Sequence, residues 1–266
     1  MSDSVRPGIN VVPTVPNSAR IWNYAQGGRD NYQVDRDLAD VMTGSFPEIR
    51  TAAVESRAFQ ERVSAHVVRE GGIRQFLDLG AGIPTGGGTH GVAQEAAPES
   101  RVVYVDNDPV VLDHVGSLRS SPEGRIRCLR RDFRDVDAVL EDASETLDLD
   151  KPVALLVLST LGHFPPGEAA ELVERYTGRL VPGSYLAVCD TIETPGVLRM
   201  QEHYVQADPE GAYLARTPDQ IADCARGLTL LPPGLGPLPE LVLPTGVTAP
   251  EGADACVQWG FLAVKP

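Results

Sequence analysis

Residues 75–108 constrain this chain more than any other stretch. Gln75-Phe-Leu-Asp-Leu79 is a short apolar run, and Gly80-Ala-Gly82 follows it directly. After a helix-length interval, Arg101-Val-Val-Tyr-Val-Asp106 is a second apolar run that ends in acids. A strand, a glycine turn, a helix and a strand with an acidic tip form half of a parallel sheet whose carboxyl edge holds a nucleotide. Gly80 and Gly82 let backbone approach a ligand where a Cβ would clash. Asp106 stands where one carboxylate accepts both hydroxyls of a ribose. A dinucleotide fingerprint requires glycine at position 85, where this chain has Thr85, and no Gly-Lys-Ser/Thr follows, which excludes a P-loop. Asp78, two residues before the first glycine, suits a ligand with a cationic amino group. These details favour S-adenosylmethionine over NAD.

The rest of the chain continues the alternation. Strands are expected at 75–79, 101–106, 126–130, 153–158 and 184–190, and helices at 88–97, 109–118, 135–145 and 166–180. Each is short, apolar and bounded by turn residues, the pattern of a parallel sheet covered on both faces. A longer helix is expected to start after Pro47 and stop at Gly71-Gly72. Residues 18–41 read as mixed. After Asp190 two helices, 195–208 and 217–226, read as a substrate-side insertion spanning 191–226. A Pro- and Gly-rich excursion follows to Pro250, and 256–264 reads as a last strand, antiparallel to the others. The expected division is a flexible arm at 1–17, an N-terminal lid and helix at 18–72, and a cofactor-binding α/β core at 73–266.

Composition narrows the function. The chain has 266 residues and a formal net charge of −14, which repels phosphate backbones, so nucleic acid is not the expected partner. Arg125, Arg127, Arg130, Arg131 and Arg134 cluster in sequence and are read as flanking a strand and pairing with acids. No apolar run reaches the ~20 residues of a membrane span, and the first residues lack a signal-peptide pattern, so a cytoplasmic location and no membrane partner are expected. Cys128, Cys189, Cys224 and Cys256 are scattered, as are the five histidines, and no metal site is read from them. Cys128 and Cys189 are read as buried small hydrophobes.

The segments Ser18–Tyr32, Leu77–Thr85 and Val102–Pro109 resemble an actinobacterial family of S-adenosylmethionine-dependent methyltransferases, formerly a domain of unknown function. The resemblance runs from about Ser18 to the C-terminus. It implies the class I, Rossmann-like methyltransferase fold: a doubly wound sheet, mostly parallel with an antiparallel last strand, plus an N-terminal helical lid. It also implies S-adenosylmethionine as cofactor, and it leaves the methyl acceptor open.

On that fold, Gly80, Ala81 and Gly82 serve the amino-acid end of the cofactor. Asp106 serves the ribose, Asn107 edges the adenine, and Asp132-Phe133 fits the adenine slot. Thr85 either joins them or caps the next helix, and Ser159 completes the set at the fourth strand. Asp108, before Pro109 and a helix, reads as an N-cap. The family's other signature is Tyr24-Ala-Gln-Gly-Gly-Arg-Asp-Asn-Tyr32. Adjacent glycines beside polar groups make poor core material and suit a lid that excludes water. Arg29 is the candidate for the cofactor carboxylate, Tyr24 or Tyr32 for a ring near the sulfonium, with Asp30 and Asn31 beside them. His163, after the fourth strand, faces the transferring methyl in this fold and is either a general base or a structural residue. Relatives commonly carry a His pair, or His and an aromatic, where this chain has Gly162-His163. The expected activity is methyl transfer to an oxygen or nitrogen of a small molecule, with Tyr204 and Tyr213 as candidate acceptor walls. The rivals are a cofactor-binding sensor or partner module without transferase activity, and an NAD-dependent oxidoreductase. The oligomeric state is left open.

Overall fold

The computed structural model of the chain describes residues 14–83, 87–108, 111, 125–207, 213–242 and 255–266. Three helices precede the sheet. Helix α1 (Ser18–Ala25) starts at Asn17, whose side chain accepts from the backbone N–H groups of Ala19 and Arg20 and so satisfies two otherwise unpaired donors. Helices α2 (Gln33–Ser45) and α3 (Ile49–Arg69) follow. Residues 18–41, read from sequence as mixed, are therefore mostly helical. Their apolar positions pack on a distant helix, so their periodicity is hard to see locally.

The sheet is built from β1 (Gln75–Leu79), β2 (Arg101–Asp106), β3 (Ile126–Arg130), β4 (Ala154–Leu158), β5 (Tyr185–Thr191), the short β6 (Thr229–Leu230) and β7 (Gly236–Pro237), and β8 (Gln258–Val264). Its order is β3-β2-β1-β4-β5-β8-β6, with β7 also on β8. Strands β1 to β5 pair in parallel, and β8 pairs antiparallel with β5, β6 and β7. Helices α4 (Gly88–Ala96), α5 (Val136–Ser144), α6 (Pro166–Arg179), α7 (Pro195–Ala207) and α8 (Pro218–Ala222) complete the described elements.

The two-residue side-chain period of a strand separates two cores. Leu77, Leu79, Val103, Val105, Leu155 and Val157 face α5 and α6. Phe76, Val102, Tyr104, Ala154 and Leu156 face α3 and α4. Burying side chains of this size stabilises a fold by ~1.5–3 kcal/mol each before entropy is counted. A third apolar cluster joins α1, α2 and α7 through Ile21, Met42, Phe46, Val197 and Met200. It lies beyond the carboxyl edge of the sheet and forms the roof of the site described below.

The expected core strands and helices match the observed ones to within a residue or two. The exceptions are 217–226, which is a short α-helix followed by a 3-10 turn, and 109–118, which lies outside the described residues apart from Val111. Cys189 is buried as expected, whereas Cys128 is only half-buried because β3 is the outer strand of the sheet. Of the arginine cluster, Arg127, Arg131 and Arg134 meet Glu145, Asp142 and Glu168. No helix among the described residues is long and apolar enough to cross a membrane.

Candidate functional site

Strand order reverses between β1 and β4, and a crevice opens at the carboxyl ends of strands on either side of such a reversal. A cavity of about 360 Å³ occupies it. The turn after β1 forms its floor. The N–H groups of Gly80 and Ala81 donate to Val105 O at 2.8 and 3.2 Å, which hooks the turn onto β2. Gly80 (φ +71°) and Gly82 (φ +58°) both adopt the left-handed region. They serve different ends. A Cβ on Gly80 would come within 2.2 Å of Thr160 Oγ1, so this glycine makes room for the loop after β4. Among the described residues, no heavy atom beyond its chain neighbours would lie within 4 Å of a Cβ on Gly82, which leaves space beside it for a ligand.

Asp106 ends β2. Its Oδ2 accepts from Gly82 N–H at 3.0 Å and its Oδ1 from Asp108 N–H at 2.9 Å. Desolvation pushes its pKa up to about 6, against the pull of those hydrogen bonds. Asp78, in β1, is buried, and its Oδ2 accepts from Thr89 Oγ1 at 2.7 Å and Gln60 Nε2 at 3.0 Å. Burial raises this carboxyl as well, and the Thr89 bond, Arg57 and the Gln60 bond oppose the rise.

Arg57 and Gln60 come from α3. Arg57 Nη1 donates to Gln60 Oε1, and its Nη2 reaches Ile83 O at 3.3 Å. Its Nε has no hydrogen-bond partner, and Arg57 forms no ion pair among the described residues. Desolvation lowers its pKa. Gln60 thus stands between a cation and an anion, bonded to both.

Residues after β3 line the far wall. Phe133 is buried against Phe164 and Tyr176 with ring centroids 5.0 and 5.2 Å away. Asp132 Oδ1 accepts from Arg134 N–H at 2.8 Å. Asn107 is exposed at the rim.

The loop after β4 carries Ser159 and His163. Ser159 is a non-glycine residue at φ +54°, a strained conformation of the kind that collects at functional sites. Its hydroxyl lies 3.0 Å from Ser56 Oγ and donates to Gln258 Oε1 at 3.2 Å. His163 ends a 3-10 turn, with Nε2 3.1 Å from Ser18 Oγ of α1. Its ring meets Tyr213 edge-on, centroids 5.2 Å apart. A Cβ at position 162 would fall 2.5 Å from the Tyr213 ring, which explains why glycine precedes the histidine here. The Tyr213 hydroxyl donates to Asp190 Oδ1 at the end of β5. Asp190 is fully buried, and desolvation pushes it up to about 6 against the Tyr213 bond and the nearby Arg216.

Of the residues singled out from sequence, the cavity brings together Asp78, Gly80, Ala81, Gly82, Asp106, Asn107, Asp132, Phe133, Ser159 and His163. Tyr204 and Tyr213, the candidate acceptor walls, also line it. Thr85 lies outside the described residues. Tyr24, Arg29, Asp30, Asn31 and Tyr32 do not line the cavity. The Asn23 side chain folds their segment into a turn of its own, accepting from Asp30 N–H and Asn31 Nδ2 at 3.0 Å each. Arg29 is exposed, Tyr24 donates to Asp40, and the Tyr32 ring lies under Arg20. The N-terminal block instead presents Ser18, Trp22, Asn23 and Gln26 to the cavity.

Asp108, expected as an N-cap, accepts from Arg20 Nη1 at 3.3 Å, while Arg20 Nε donates to Asp35 at 2.8 Å. All three residues are buried. Sequence reasoning also missed Arg57 and Gln60. Their one signal is that Ser56, Gln60 and Ser64 put polar groups on the same stripe of α3 as Ala53, Val63 and Val67.

The profile of the S-adenosyl methyltransferase family matches residues 7–266. The chain belongs to the S-adenosyl methyltransferase family. Its fold is that of the class I enzymes and its cofactor is S-adenosylmethionine. A DUF574 family protein from Streptomyces avermitilis, solved by crystallography, is 35% identical with a TM-score of 0.87, over 95% of this chain and 98% of that one. A candidate methyltransferase from Thermobifida fusca is 31% identical with a TM-score of 0.90, over 98% and 99% of the two chains. A candidate S-adenosyl-L-methionine-dependent methyltransferase of Mycolicibacterium gilvum is 28% identical over 160 residues. That match covers 58% of this chain and 50% of the relative, so it spans half the length of that curated relative.

Proposed function

We propose that the chain moves the methyl group of S-adenosylmethionine to an oxygen or nitrogen of a small-molecule acceptor. The observation that carries this reading is the continuity of the cavity: one space runs from the Gly82 turn and Asp106, past His163, to Met200 and Tyr204 of α7. Bound there, the cofactor supplies an electrophilic methyl group on a sulfonium.

The residues on hand fit its parts. The open face of Gly82 admits its amino-acid end, Asp78 takes the α-ammonium, and Arg57 takes the α-carboxylate in place of Arg29. Asp106 accepts from the ribose hydroxyls, and Asn107, Asp132 and Phe133 bracket the adenine. Ser159, bonded to Ser56 and Gln258, would line the cofactor's part of the cavity. His163 accepts the proton of the acceptor nucleophile and is held in orientation by Ser18 and Tyr213. Helices α1 and α2, within the 18–72 segment, act as a lid over the 73–266 core and exclude water. Positioning supplies most of the rate, and proton removal is secondary.

Calorimetry with S-adenosylhomocysteine, with NAD as control, tests the cofactor side. Transfer of a labelled methyl to an acceptor panel tests the reaction. His163→Ala should lower turnover by about 10²–10⁴-fold and leave S-adenosylhomocysteine affinity unchanged. Binding of NAD in preference to S-adenosylhomocysteine would overturn the reading. Tight binding with no transfer to any acceptor would favour a binding module.

A further inference from the structure

The charged side chains that line the cavity are unevenly placed. Among the described residues, Arg57, Asp78, Asp106, Arg131, Asp132 and Arg134 carry all the full charges, and every one comes from α3 or from strands β1 to β3 and the loops that follow them. The opposite wall is built mainly by Trp22, Met42, Val197, Met200, Tyr204 and Tyr213 from α1, α2, α7 and the segment after it. These six belong to, or pack against, the third apolar cluster. The uncharged amides of Asn23, Gln26 and Gln201 also line this wall, each bonded to backbone of the chain itself.

Behind this wall the buried charges of Asp190 and Arg216 face each other. Tyr213 gives its hydroxyl to buried Asp190, so what it offers the cavity is its ring. Arg216, also buried, donates to Leu161 O and Phe164 O and lies 3.9 Å from Asp190. A charged acceptor seated here would lose its hydration and find no counter-charge on this wall, which disfavours an unpaired ion. A flat ring would meet three aromatic faces or edges and two thioethers, all of which favour aromatic partners. The polar groups at the junction with the cofactor half are the paired Ser18 and His163.

Resting on the methyltransferase reading above, we infer that the acceptor is an uncharged aromatic hydroxy compound, its ring body against α1, α2 and α7 and its hydroxyl at His163. The cofactor half takes the charged ligand, and the acceptor half takes the neutral one.

The test uses the full chain saturated with S-adenosylhomocysteine and three probes that share one ring system: 2-naphthol, 2-naphthoate and 2-naphthylmethylammonium. Calorimetry at pH 7 should show 2-naphthol binding at least about tenfold more tightly than either ion, on the tenfold-per-1.4 kcal/mol scale. Met200→Glu should remove 2-naphthol binding while S-adenosylhomocysteine still binds. Trp22→Ala, at a half-buried position less exposed to folding failure, should weaken 2-naphthol by about tenfold. A charged probe that binds as well as 2-naphthol would overturn the inference, as would failure of all three to bind. So would unchanged 2-naphthol affinity in both folded variants. Failure of the wild-type chain to bind S-adenosylhomocysteine would strike the methyltransferase reading itself, so the two failures are distinguishable.

Discussion

The two halves of the cavity are made in different ways. The half proposed for the cofactor is mostly backbone and strand tips: a glycine turn hooked to β2, an acid at the end of β2, and a loop after β3. The half proposed for the acceptor is made of side chains that project from helices α1 and α2, and from α7 much further along the chain. They are brought together by packing and, between α1 and α2, by the Arg20–Asp35 and Tyr24–Asp40 bonds. A ligand common to a whole family is best held by what the fold itself fixes. A ligand that varies is best held by side chains that can be exchanged without disturbing the sheet.

The largest test of this contrast is Gly82→Val. The substitution puts a branched side chain into the open space of the cofactor half and at a positive φ. Binding of S-adenosylhomocysteine should be lost in calorimetry, while the circular dichroism of the sheet persists. Retained affinity would show that the glycine turn is not the cradle.

Arg57→Met should be next in size. S-adenosylhomocysteine affinity should fall about 10–100-fold, the scale of a hydrogen-bonded charge. 5′-Methylthioadenosine, which lacks the amino-acid end, should bind the variant as it binds the wild type. Equal losses for both ligands would make Arg57 a support of α3 rather than a contact.

The pH dependence should be smaller. In the proposed site Asp106 accepts from both ribose hydroxyls only as a carboxylate, and burial pushes its pKa up to about 6. S-Adenosylhomocysteine affinity should therefore weaken by up to about tenfold for each pH unit below 6, and Asp106→Asn should flatten most of that slope. Asp78, raised in the same direction, would leave the remainder. Stability of the ligand-free chain runs the opposite way. The folded state holds the Asp106 proton more tightly than the unfolded state, so this group favours folding below about 4, and the benefit is lost as pH rises through about 6. An affinity that is flat from pH 5 to 7 would remove Asp106 from the contact set.

Ser18→Ala is the mildest change. Loss of its bond to His163 should lower turnover about 2–10-fold and shift the pH–rate profile, with cofactor affinity intact. An unchanged profile would mean that α1 covers the site without orienting the histidine.

The same contrast decides what could be read from residues alone. The core strands and the positions of Gly82, Asp106 and Asp132 were legible because each follows from its immediate neighbours: an apolar run, a turn, an acid. The lid contacts were not. Trp22 and Gln26 face the cavity while Tyr24 and Arg29 face away, a choice set by the rotation of α1 and by the Asn23-bonded turn. Nothing within the segment states that rotation. Arg57 was missed for the same reason, since its role depends on α3 lying beside β1, eighteen or more residues on. Gly162 looked like a departure until Tyr213 supplied the ring that requires it.

The buried Arg20 bond to Asp108 has one further consequence. Asp108 also gives its backbone N–H to Asp106, so a single residue touches both α1 and the carboxylate proposed to accept from the ribose. Whatever steadies one end must steady the other by an equal factor, because coupling between two binding events is reciprocal. Cofactor should thus act as a fastener for the N-terminal helices, and the helices in turn should tighten the hold on the cofactor by the same factor.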